Sequence, residues 1–309
     1  MGKKGWKRMI DISGKIETLR TAVAVTEVRA KPETVDRALR GETPKGDVLN
    51  VARAAAVLAA KKTPELIPFC HPLALDSVHI AYEPGPGKIG IRVEVKTIGR
   101  TGVEMEALTA AAVCALTVYD MMKGIDKDVT IGETRLAEKR GGKSDFEETF
   151  PVPLRAAVLV TSDSVSAGKK TDKSGKLICE AMKKFPVEVL HYEVIPDDRE
   201  TIRRKLLEYA ECKLDLVLST GGTGLGPRDV TVDVAREVIE REIPGIAEAM
   251  RGYGQRRTPY AMLSRGVVGV RGGTLILTLP GSSKGVQESI AAVFPNVLHA
   301  FNMMRGGGH

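Results

Sequence analysis

The sequence predicts two domains of different class, an α+β domain followed by a doubly wound α/β domain. Its 309 residues are enough for about two domains of ordinary size. The first half mixes helices with strands of period two, whereas the second half alternates apolar strands with helices. An acidic stretch with two prolines, residues 145–155, separates these patterns. We therefore place one domain over residues 1–148 and the other over residues 149–309.

The elements of the first half indicate an antiparallel sheet. Apolar and polar side chains alternate along residues 88–96, which is typical of a half-buried antiparallel strand. The Pro-Gly-Pro-Gly turn at 84–87 predicts that residues 77–82 form its hairpin partner. Residues 47–61 and 102–123 have the pattern of helices. The prediction is an α+β domain of the ferredoxin-like kind, with helices on one face of the sheet.

The elements of the second half predict a three-layer domain. Four apolar segments predict strands, at residues 156–160, 187–194, 214–218 and 274–279. Helical segments follow them, at residues 173–184, 199–210, 232–240 and 284–304, the last interrupted at Pro295. Strands that alternate with helices in this way form a doubly wound domain around a mostly parallel sheet.

Polar side chains and glycines follow all four predicted strands of the second half. They occupy residues 161–164, 195–198, 219–224 and 280–283. Because ligands bind beyond the carboxyl ends of the strands in such a sheet, these segments predict a phosphate-binding site with carboxylates for a metal. The alternative is that serine, aspartate and glycine serve there only as helix caps and turn residues.

The most informative segment is S-T-G-G-T-G-L-G-P-R-D-V-T at residues 219–231, between a predicted strand and a predicted helix. Its glycines allow backbone N–H groups to approach an anion closely. Arg228 adds a positive charge, and Asp229 adds a carboxylate suited to Mg²⁺. The spacing matches neither the P-loop nor the dinucleotide fingerprint. A tight surface loop is the alternative interpretation.

In the first half, Asp120 and Lys123 are three residues apart and share one face of a predicted helix. The pair fits either a surface ion pair or a general acid–base pair. Glu106 lies fourteen residues before Asp120, about 21 Å along a helix at ~1.5 Å per residue. A site that uses both Glu106 and Asp120 therefore needs a second copy of the chain.

Other candidates in the first half fit both structural and functional roles. Lys45 stands just before a predicted helix start, which is a usual place for an anion contact. Cys70 and His71 lie between two prolines, and a histidine of this kind is more often a structural hydrogen-bonding group than a ligand. Lys139 and Lys143 belong to a basic, glycine-containing loop that could hold a triphosphate or be a solvated turn.

The composition of the chain limits the cellular location and the binding partners that we expect. We find no apolar run of the ~18 residues that a membrane span needs, and no signal-peptide pattern, so we expect a cytoplasmic protein without membrane partners. The four cysteines lack a C-x-x-C spacing, as is typical of reduced thiols. The net charge of +7 fits anionic partners. Aromatic residues make up only 4% of the chain and its basic residues are scattered, so we expect phosphorylated small molecules as its ligands. Binding of nucleic acid is the alternative.

Four motifs in the first half point to a known family. They are K-G-D-V at 45–48, L-I-P-F-C-H-P-L at 66–73, T-G-V-E-M-E-A-L-T-A at 101–110 and Y-D-M-M-K at 119–123. Over about residues 9–147 the sequence resembles cyclic pyranopterin monophosphate synthase, the MoaC family. The resemblance implies that a cyclised dihydroguanosine triphosphate is converted to cyclic pyranopterin monophosphate and pyrophosphate, with no cofactor. It implies catalytic roles for Asp120 and Lys123. The substrate-binding residues that it implies are Lys45, Phe69, Cys70, His71, Met105, Glu106, Lys139 and Lys143.

The second half, over about residues 154–305, resembles the molybdopterin-binding family that includes the MoaB and MogA adenylyltransferases. The matching pieces are residues 161–166, 172–175, 195–198, 219–231, 264–266 and 279–282. Val232 and Ser283 depart from the family, where proline is usual or common. The resemblance implies transfer of AMP from Mg²⁺-bound ATP, as cosubstrate, to the terminal phosphate of molybdopterin. It implies that Asp197 and Asp229 are catalytic and bind the metal. The nucleotide- or molybdopterin-binding residues that it implies are Ser162, Asp163, Ser164, Gly221, Gly222, Thr223, Gly224, Pro280, Gly281 and Ser282.

Together the two resemblances imply a bifunctional molybdenum cofactor biosynthesis enzyme with pterin and nucleotide substrates. We expect a homo-oligomer with the first-half sites at subunit interfaces. Because dithiolene sulfur must be installed between the two reactions, direct transfer of product from one half to the other is not implied. The alternative for the second half is a non-catalytic molybdopterin-binding scaffold.

Overall fold

The computed structural model describes residues 9–307, apart from the side chains of Lys143 and Ser144. The chain divides into two compact units, one ending at Phe146 and the other beginning at Glu147. Each core cluster of buried apolar residues lies within a single unit.

The first unit is built on an antiparallel sheet. Its strands are β1 (Thr18–Arg29), β2 (Ser77–Gly85), β3 (Lys88–Gly99), β4 (Thr130–Ile131) and β5 (Arg135–Arg140). Its helices are α1 (Pro32–Leu39), α2 (Val48–Leu66) and α3 (Glu104–Met122). The strand order is β2-β3-β1, and both β4 and β5 pair with the free side of β1. The order and the path through α2 and α3 confirm the predicted ferredoxin-like α+β fold.

The predicted hairpin is confirmed by the pairing of β2 with β3, in which Gly85 lies opposite Lys88. The alternating strand turns its apolar side toward the helices, and the buried residues of β3 include Ile89, Ile91, Val93 and Val95. The helices meet this face through small residues such as Ala52 and Ala56 of α2 and Ala110 and Ala111 of α3. The sheet therefore holds α2 and α3 side by side in a fixed position.

Helix α3 has the length and apolar composition of a membrane span, which differs from our expectation that no segment has both. It contacts α2, β1 and β3, and nine of its residues are buried, from Glu106 to Met122. Packing in the core of the first unit accounts for its apolar composition. The two ends of this buried helix carry the candidate residues of the first half.

The second unit has a six-stranded sheet between helices. Its strands are β6 (Leu154–Thr161), β7 (Val187–Ile195), β8 (Leu216–Thr220), β9 (Arg241–Glu242), β10 (Val268–Arg271) and β11 (Thr274–Leu279). Its helices are α4 (Asp163–Ser166), α5 (Ser174–Met182), α6 (Arg199–Glu211), α7 (Thr231–Val238), α8 (Pro244–Gln255), α9 (Ser283–Val293) and α10 (His299–Met304).

The sheet of the second unit has the order β7-β6-β8-β11-β10-β9. Its first four strands are parallel, and β10 is antiparallel to both of its neighbours, β11 and β9. Successive residues of β6 belong to different cores: Ala156 and Val158 to one, Ala157 and Leu159 to the other. Both faces of the sheet are therefore covered, which confirms the predicted doubly wound, mostly parallel domain. The carboxyl ends of β6, β7, β8 and β11 lie at one edge, as predicted.

Candidate active sites

The carboxylate of Asp120, in the last turn of α3, lies between two lysines. Lys123 Nζ is 2.8 Å from Asp120 Oδ1, and Lys45 Nζ is 2.6 Å from Asp120 Oδ2. Lys45 also donates to the backbone oxygen of Asp120 at 3.0 Å. The hydrogen bonds from Lys123 and then Lys45 lower the pKa of Asp120 to about 2, and Asp120 raises the pKa of Lys123. At neutral pH Asp120 can accept a proton and Lys123 can donate one.

Local turns position Lys45 beside α3. Gly46 has φ +89, which favours glycine, and its carbonyl accepts a hydrogen bond from Thr43 Oγ1 at 2.8 Å. The next residue, Asp47, caps α2 by accepting from Asn50 N at 3.1 Å. Lys45 therefore extends from a tight turn directly before the helix start, 75 residues from Asp120 in the sequence.

Glu106, in the first turn of α3, is buried beside Cys70. The residue is 1% exposed, and Cys70 Sγ donates to Glu106 Oε1 at 3.4 Å. Among the described residues Glu106 Oε2 has no hydrogen-bond partner. Burial raises the pKa of Glu106, and burial followed by the nearby Glu106 charge raises the pKa of Cys70 to about 11. A buried, unpaired carboxylate oxygen is a group that a ligand N–H would satisfy.

The remaining first-half candidates show different degrees of contact. His71 Nε2 lies 2.8 Å from the backbone oxygen of Ile10, so this nitrogen carries the proton. Lys139 Nζ is 3.9 Å from Glu104 Oε1 at the start of α3. Phe69 and Met105 are exposed large apolar residues, and the Lys143 side chain lies outside the described residues.

The two groups of first-half candidates lie at opposite ends of one helix. The Cys70–Glu106 contact is near the start of α3, and the Asp120–Lys123 pair is near its end. The helix runs unbroken between them, so the fourteen residues correspond to about 21 Å at ~1.5 Å per residue. The structure thus brings Lys45, Asp120 and Lys123 together and does not bring Glu106 to them within one chain.

The glycine-rich loop between β8 and α7 folds tightly against the end of β6. Gly221 has φ +103 and Gly222 has φ +58, conformations that strain any other residue. A Cβ atom on Gly221 would lie 2.1 Å from the backbone oxygen of Thr161, and one on Gly222 would lie 2.2 Å from Thr231 Oγ1. The Thr161 and Thr231 hydroxyls are hydrogen-bonded at 3.0 Å. Only glycine fits at these two positions.

This packing leaves backbone donors free in the loop. Within the part of the chain that the structure describes, the N–H groups of Gly222, Thr223, Gly224 and Leu225 have no protein acceptor. Unpaired N–H groups in a glycine loop before a helix form an anion-binding concavity. The loop therefore has the features of a phosphate site rather than those of a self-satisfied surface turn.

Three aspartates come together at the same sheet edge. Asp163 N donates to Asp197 Oδ2 at 3.1 Å, and Asp197 N donates to Asp163 Oδ1 at 3.0 Å. Arg228 pairs with Asp163 Oδ2 at 3.1 Å, and Gly226 N donates to Asp229 Oδ2 at 2.7 Å. Burial, with the charges of Asp163 and Asp229, raises the pKa of Asp197. Asp163, predicted to contact nucleotide or pterin, here orients Asp197 and holds Arg228.

The geometry of Asp197 fits a magnesium ion. Among the described residues no group of three or more His, Cys, Asp or Glu side chains forms a metal cluster. Mg²⁺, however, usually binds one or two carboxylates together with substrate phosphates and water. Asp197 Oδ1 is buried with no hydrogen-bond partner in the described part of the chain, and it lies within range of the Asp229 charge. An orphan carboxylate oxygen beside a second carboxylate is a suitable donor set.

The predicted serines act as helix caps. Ser162 Oγ accepts from Val165 N at 3.4 Å and lies 3.2 Å from Ser164 Oγ, at the start of α4. Ser282 Oγ accepts from Gly285 N at 3.1 Å at the start of α9. These contacts agree with the capping alternative, and each hydroxyl can also donate to a ligand.

The turn at Pro280–Ser282 rests on the glycine-rich loop. Thr220 Oγ1 donates to the Pro280 oxygen at 2.8 Å, and a Cβ atom on Gly281 would lie 3.3 Å from Gly221 Cα. Pro280 has no N–H, so only Gly281 and Ser282 can offer backbone donors in this turn. A cavity of about 300 Å³ adjoins the turn on the side of α8 and α9. Its lining includes Ala247, Met250, Arg251, Tyr260 and Ser282.

Two family models match the chain. The MoaC family matches residues 9–142, and the family described as a probable molybdopterin binding domain matches residues 157–300. The two family models thus define a two-domain molybdenum cofactor biosynthesis protein.

Known relatives place the whole chain in one family. A molybdenum cofactor biosynthesis bifunctional protein of Chlorobaculum tepidum is 41% identical over 309 residues, 100% of this chain and 98% of the relative. A cyclic pyranopterin monophosphate synthase of Geobacter metallireducens is 56% identical over 138 residues, 44% of this chain and 86% of the relative. A crystal structure of MoaB from Thermus thermophilus, 47% identical, covers 50% of this chain and 97% of its own, with a TM-score of 0.48. The chain belongs to the family of bifunctional molybdenum cofactor biosynthesis proteins.

One charged residue at the second site received no role from the sequence. Arg265 lies in a motif that matched the family, but nothing in its local pattern indicated what it contacts. In the structure it touches the glycine-rich loop at Gly224 and Asp229.

Proposed function

We propose that the first half converts the cyclised dihydroguanosine triphosphate to cyclic pyranopterin monophosphate and pyrophosphate. The observation that carries this proposal is the position of Asp120 between Lys45 and Lys123. At neutral pH the ion pair keeps Lys123 protonated and Asp120 ionised, the protonation states of a proton donor and a proton acceptor. The same pairing weakens Lys123 as an acid and Asp120 as a base, so proton transfer requires the bound substrate to replace the ion pair. Lys45 supplies positive charge for the triphosphate. Lys139, which lies near Glu104 at the opposite end of α3, would supply it from a second copy of the chain.

We infer that the complete first-half site forms between copies of the chain. Glu106 and Cys70 offer a buried polar surface for the heterocycle, but they lie about 21 Å along α3 from Asp120. In the proposed homo-oligomer, the start of α3 in one copy faces the end of α3 in its partner. Each site would then take its heterocycle contacts and its proton-transfer pair from different chains.

Incubating the purified full chain with the cyclised nucleotide tests the first activity. Formation of cyclic pyranopterin monophosphate together with an equal amount of pyrophosphate is the expected result. Pyrophosphate release without the pterin product would mean that the lysines bind the triphosphate but the acid–base assignment is wrong.

For the second half, we propose transfer of AMP from ATP to the terminal phosphate of molybdopterin. The observation that carries it is the orphan oxygen of Asp197 beside a loop with free N–H groups. These N–H groups would hold phosphates, and Asp197 and Asp229 would hold Mg²⁺. When bound, the ion supplies charge neutralisation for phosphoryl transfer. The cavity beside Pro280 would take the heterocycle of one substrate.

The second candidate function for this half is a molybdopterin-binding scaffold. It is favoured by the capping roles of Ser162 and Ser282 and by the use of Asp229 Oδ2 within its own loop. Measuring molybdopterin binding and AMP incorporation on the same preparation separates the two. Tight binding without AMP incorporation over a full Mg²⁺ titration would establish the scaffold and exclude the transferase.

A further inference from the structure

Arg265 links the glycine-rich loop to the start of α7. Its backbone N–H donates to the oxygen of Thr223 at 3.2 Å, and its Nε donates to the oxygen of Gly224 at 2.9 Å. One terminal nitrogen of the same guanidinium donates to the backbone oxygen of Asp229. Three carbonyls of one loop thus converge on a single residue that follows them by about forty positions.

The guanidinium is itself held in place by Asp233, in the first turn of α7. Arg265 Nη1 lies 3.0 Å from Asp233 Oδ1, and Nη2 lies 3.1 Å from Asp233 Oδ2. This bidentate pairing fixes both the position and the plane of the guanidinium. A lysine could reach one of these acceptors but could not span the loop carbonyls and the carboxylate together.

The captured carbonyls determine where the loop donors point. In a trans peptide the C=O and the following N–H point in opposite directions. The carbonyls of Thr223 and Gly224 face Arg265, so the N–H groups of Gly224 and Leu225 face away from it. Neither of these N–H groups has a protein acceptor in the described residues. The contact at Asp229 also fixes the backbone from which its carboxylate extends.

We propose that Arg265 is a positioning residue for AMP transfer: its guanidinium holds the carbonyls of Gly224 and Asp229, its backbone N–H holds that of Thr223, and together these contacts direct the loop N–H groups and the Asp229 carboxylate toward the phosphates. The proposal rests on the proposed function of the second half. In this proposal Arg265 acts by fixing the glycine-rich loop, and Asp233 acts by fixing the guanidinium of Arg265.

The test compares Arg265→Lys with Arg271→Lys in the full chain. Arg271 is a matched control because it also donates to a backbone carbonyl, Val238 O at 3.0 Å, and pairs with a carboxylate, Glu240, at 3.6 Å. The two side chains are similarly exposed, at 30% and 35%. Any loss of stability or activity that comes simply from replacing a partly buried arginine by lysine should therefore appear in both variants.

We expect Arg265→Lys to lower kcat for AMP transfer by about 10²-fold, the loss typical of a displaced catalytic group. It should also raise the Mg²⁺ concentration needed for half-maximal activity, because Asp229 is no longer held. Arg271→Lys should change neither quantity. A merely structural role would reduce the active fraction of the protein and leave the Mg²⁺ requirement unchanged.

Hydrogen exchange provides a readout that does not depend on turnover. The hydrogen-bonded amides in residues 219–231, such as those of Gly226 and Asp229, should exchange faster in Arg265→Lys than in wild type or Arg271→Lys. Unchanged exchange in this segment, or transfer kinetics equal to those of Arg271→Lys, would overturn the proposal. If wild type transfers no AMP, the proposed function fails separately. In that case pyrophosphate binding tests whether Arg265 positions the loop N–H groups: weaker binding by Arg265→Lys than by wild type would support this positioning, and equal binding would exclude it.

Discussion

Asp163 and Asp197 exchange hydrogen bonds at the edge of the second sheet, each carboxylate accepting the backbone N–H of the other, at 3.0 and 3.1 Å. The exchange locks the ends of β6 and β7 together. It also uses one oxygen of Asp197 and leaves the other, Oδ1, buried and unpaired among the described residues. The fold thus holds a carboxylate in an unfavourable environment, as is common at functional sites.

Asp197→Asn is expected to stabilise the protein without ligands at neutral pH. Because the pKa of Asp197 is raised in the folded state, ionisation destabilises the fold as pH rises above the unfolded value of ~3.9. The variant should gain about 2 °C in Tm at pH 7 and little at pH 4. The neighbouring Asp198→Asn, whose carboxylate caps α6, should show no such gain. An equal or lower Tm for Asp197→Asn at pH 7 would contradict the assignment.

Asp120→Asn should lower the rate of cyclic pyranopterin monophosphate formation by about 10²–10⁴-fold, because it removes the proposed proton acceptor. Lys123→Ala should have a similar effect through loss of the donor. Both residues are exposed, so Tm should stay close to that of wild type. Glu180→Gln is the matched control, since Glu180 and Lys183 form the same kind of pair, three residues apart, on α5. Near wild-type turnover in either Asp120→Asn or Lys123→Ala would remove that residue from the catalytic pair.

Mixing two inactive variants tests whether the first-half site is shared between chains. Glu106→Ala and Asp120→Asn affect opposite ends of α3. In mixed oligomers some sites should receive an intact Glu106 from one chain and an intact Asp120 from the other, which restores part of the activity. The double variant Glu106→Ala/Asp120→Asn, mixed with either single variant, supplies the control. Absence of recovery in oligomers shown to be mixed would place the whole site within one chain.

Asp229→Ala should still bind molybdopterin but transfer little AMP, because the loop N–H groups remain while the carboxylate proposed to bind Mg²⁺ is lost. Asp229→Asn separates the charge of the side chain from its role in the loop, because its amide oxygen can still accept a hydrogen bond from Gly226 N. Loss of transfer in both variants would indicate that the charge is required. Retention in Asp229→Asn would show that the carboxylate serves only the shape of the loop. Asp197→Ala should raise the Mg²⁺ concentration needed for half-maximal AMP transfer by more than Asp229→Ala does.

Cys70 should resist alkylation at pH 8, because its pKa is raised to about 11 and the thiolate is the reactive form. The rate of reaction with iodoacetamide, followed against pH by mass spectrometry, should have a midpoint near that value. The exposed Cys212 serves as the internal comparison. Glu106→Gln removes a neighbouring negative charge and should shift the midpoint of Cys70 downward. A midpoint for Cys70 that does not respond to Glu106→Gln would contradict the contact.

The sequence was sufficient for the fold class because most elements have regular patterns, but some elements were missed for physical reasons. Strand β1, Thr18–Arg29, buries small residues such as Ala22 and Ala24, whose weak hydrophobicity hides the alternation. Helix α8, Pro244–Gln255, contains several glycines, which lower helix propensity. In both cases tertiary packing rather than local preference forms the element.

The candidate sites were predicted only in part. Asp120 and Lys123 could be paired from spacing, because residues three apart share a helix face. The contact of Lys45 with Asp120 spans 75 residues, and that of Arg265 with Gly224 spans 41, so neither could be deduced from a local pattern. The exchange between Asp163 and Asp197 likewise depends on two neighbouring parallel strands ending at the same level. Contacts between residues that are distant in the sequence form only in the folded chain, so the local pattern of a single sequence does not predict them.

The two units have separate hydrophobic cores, joined by one peptide connection between Phe146 and Glu147. Each half therefore carries within itself the apolar surface that it must bury in order to fold. The connection also fixes how much of each domain is made, because every ribosome that completes the chain produces one copy of both. The cell then holds the two at a fixed ratio that no difference in promoter strength or messenger lifetime can change.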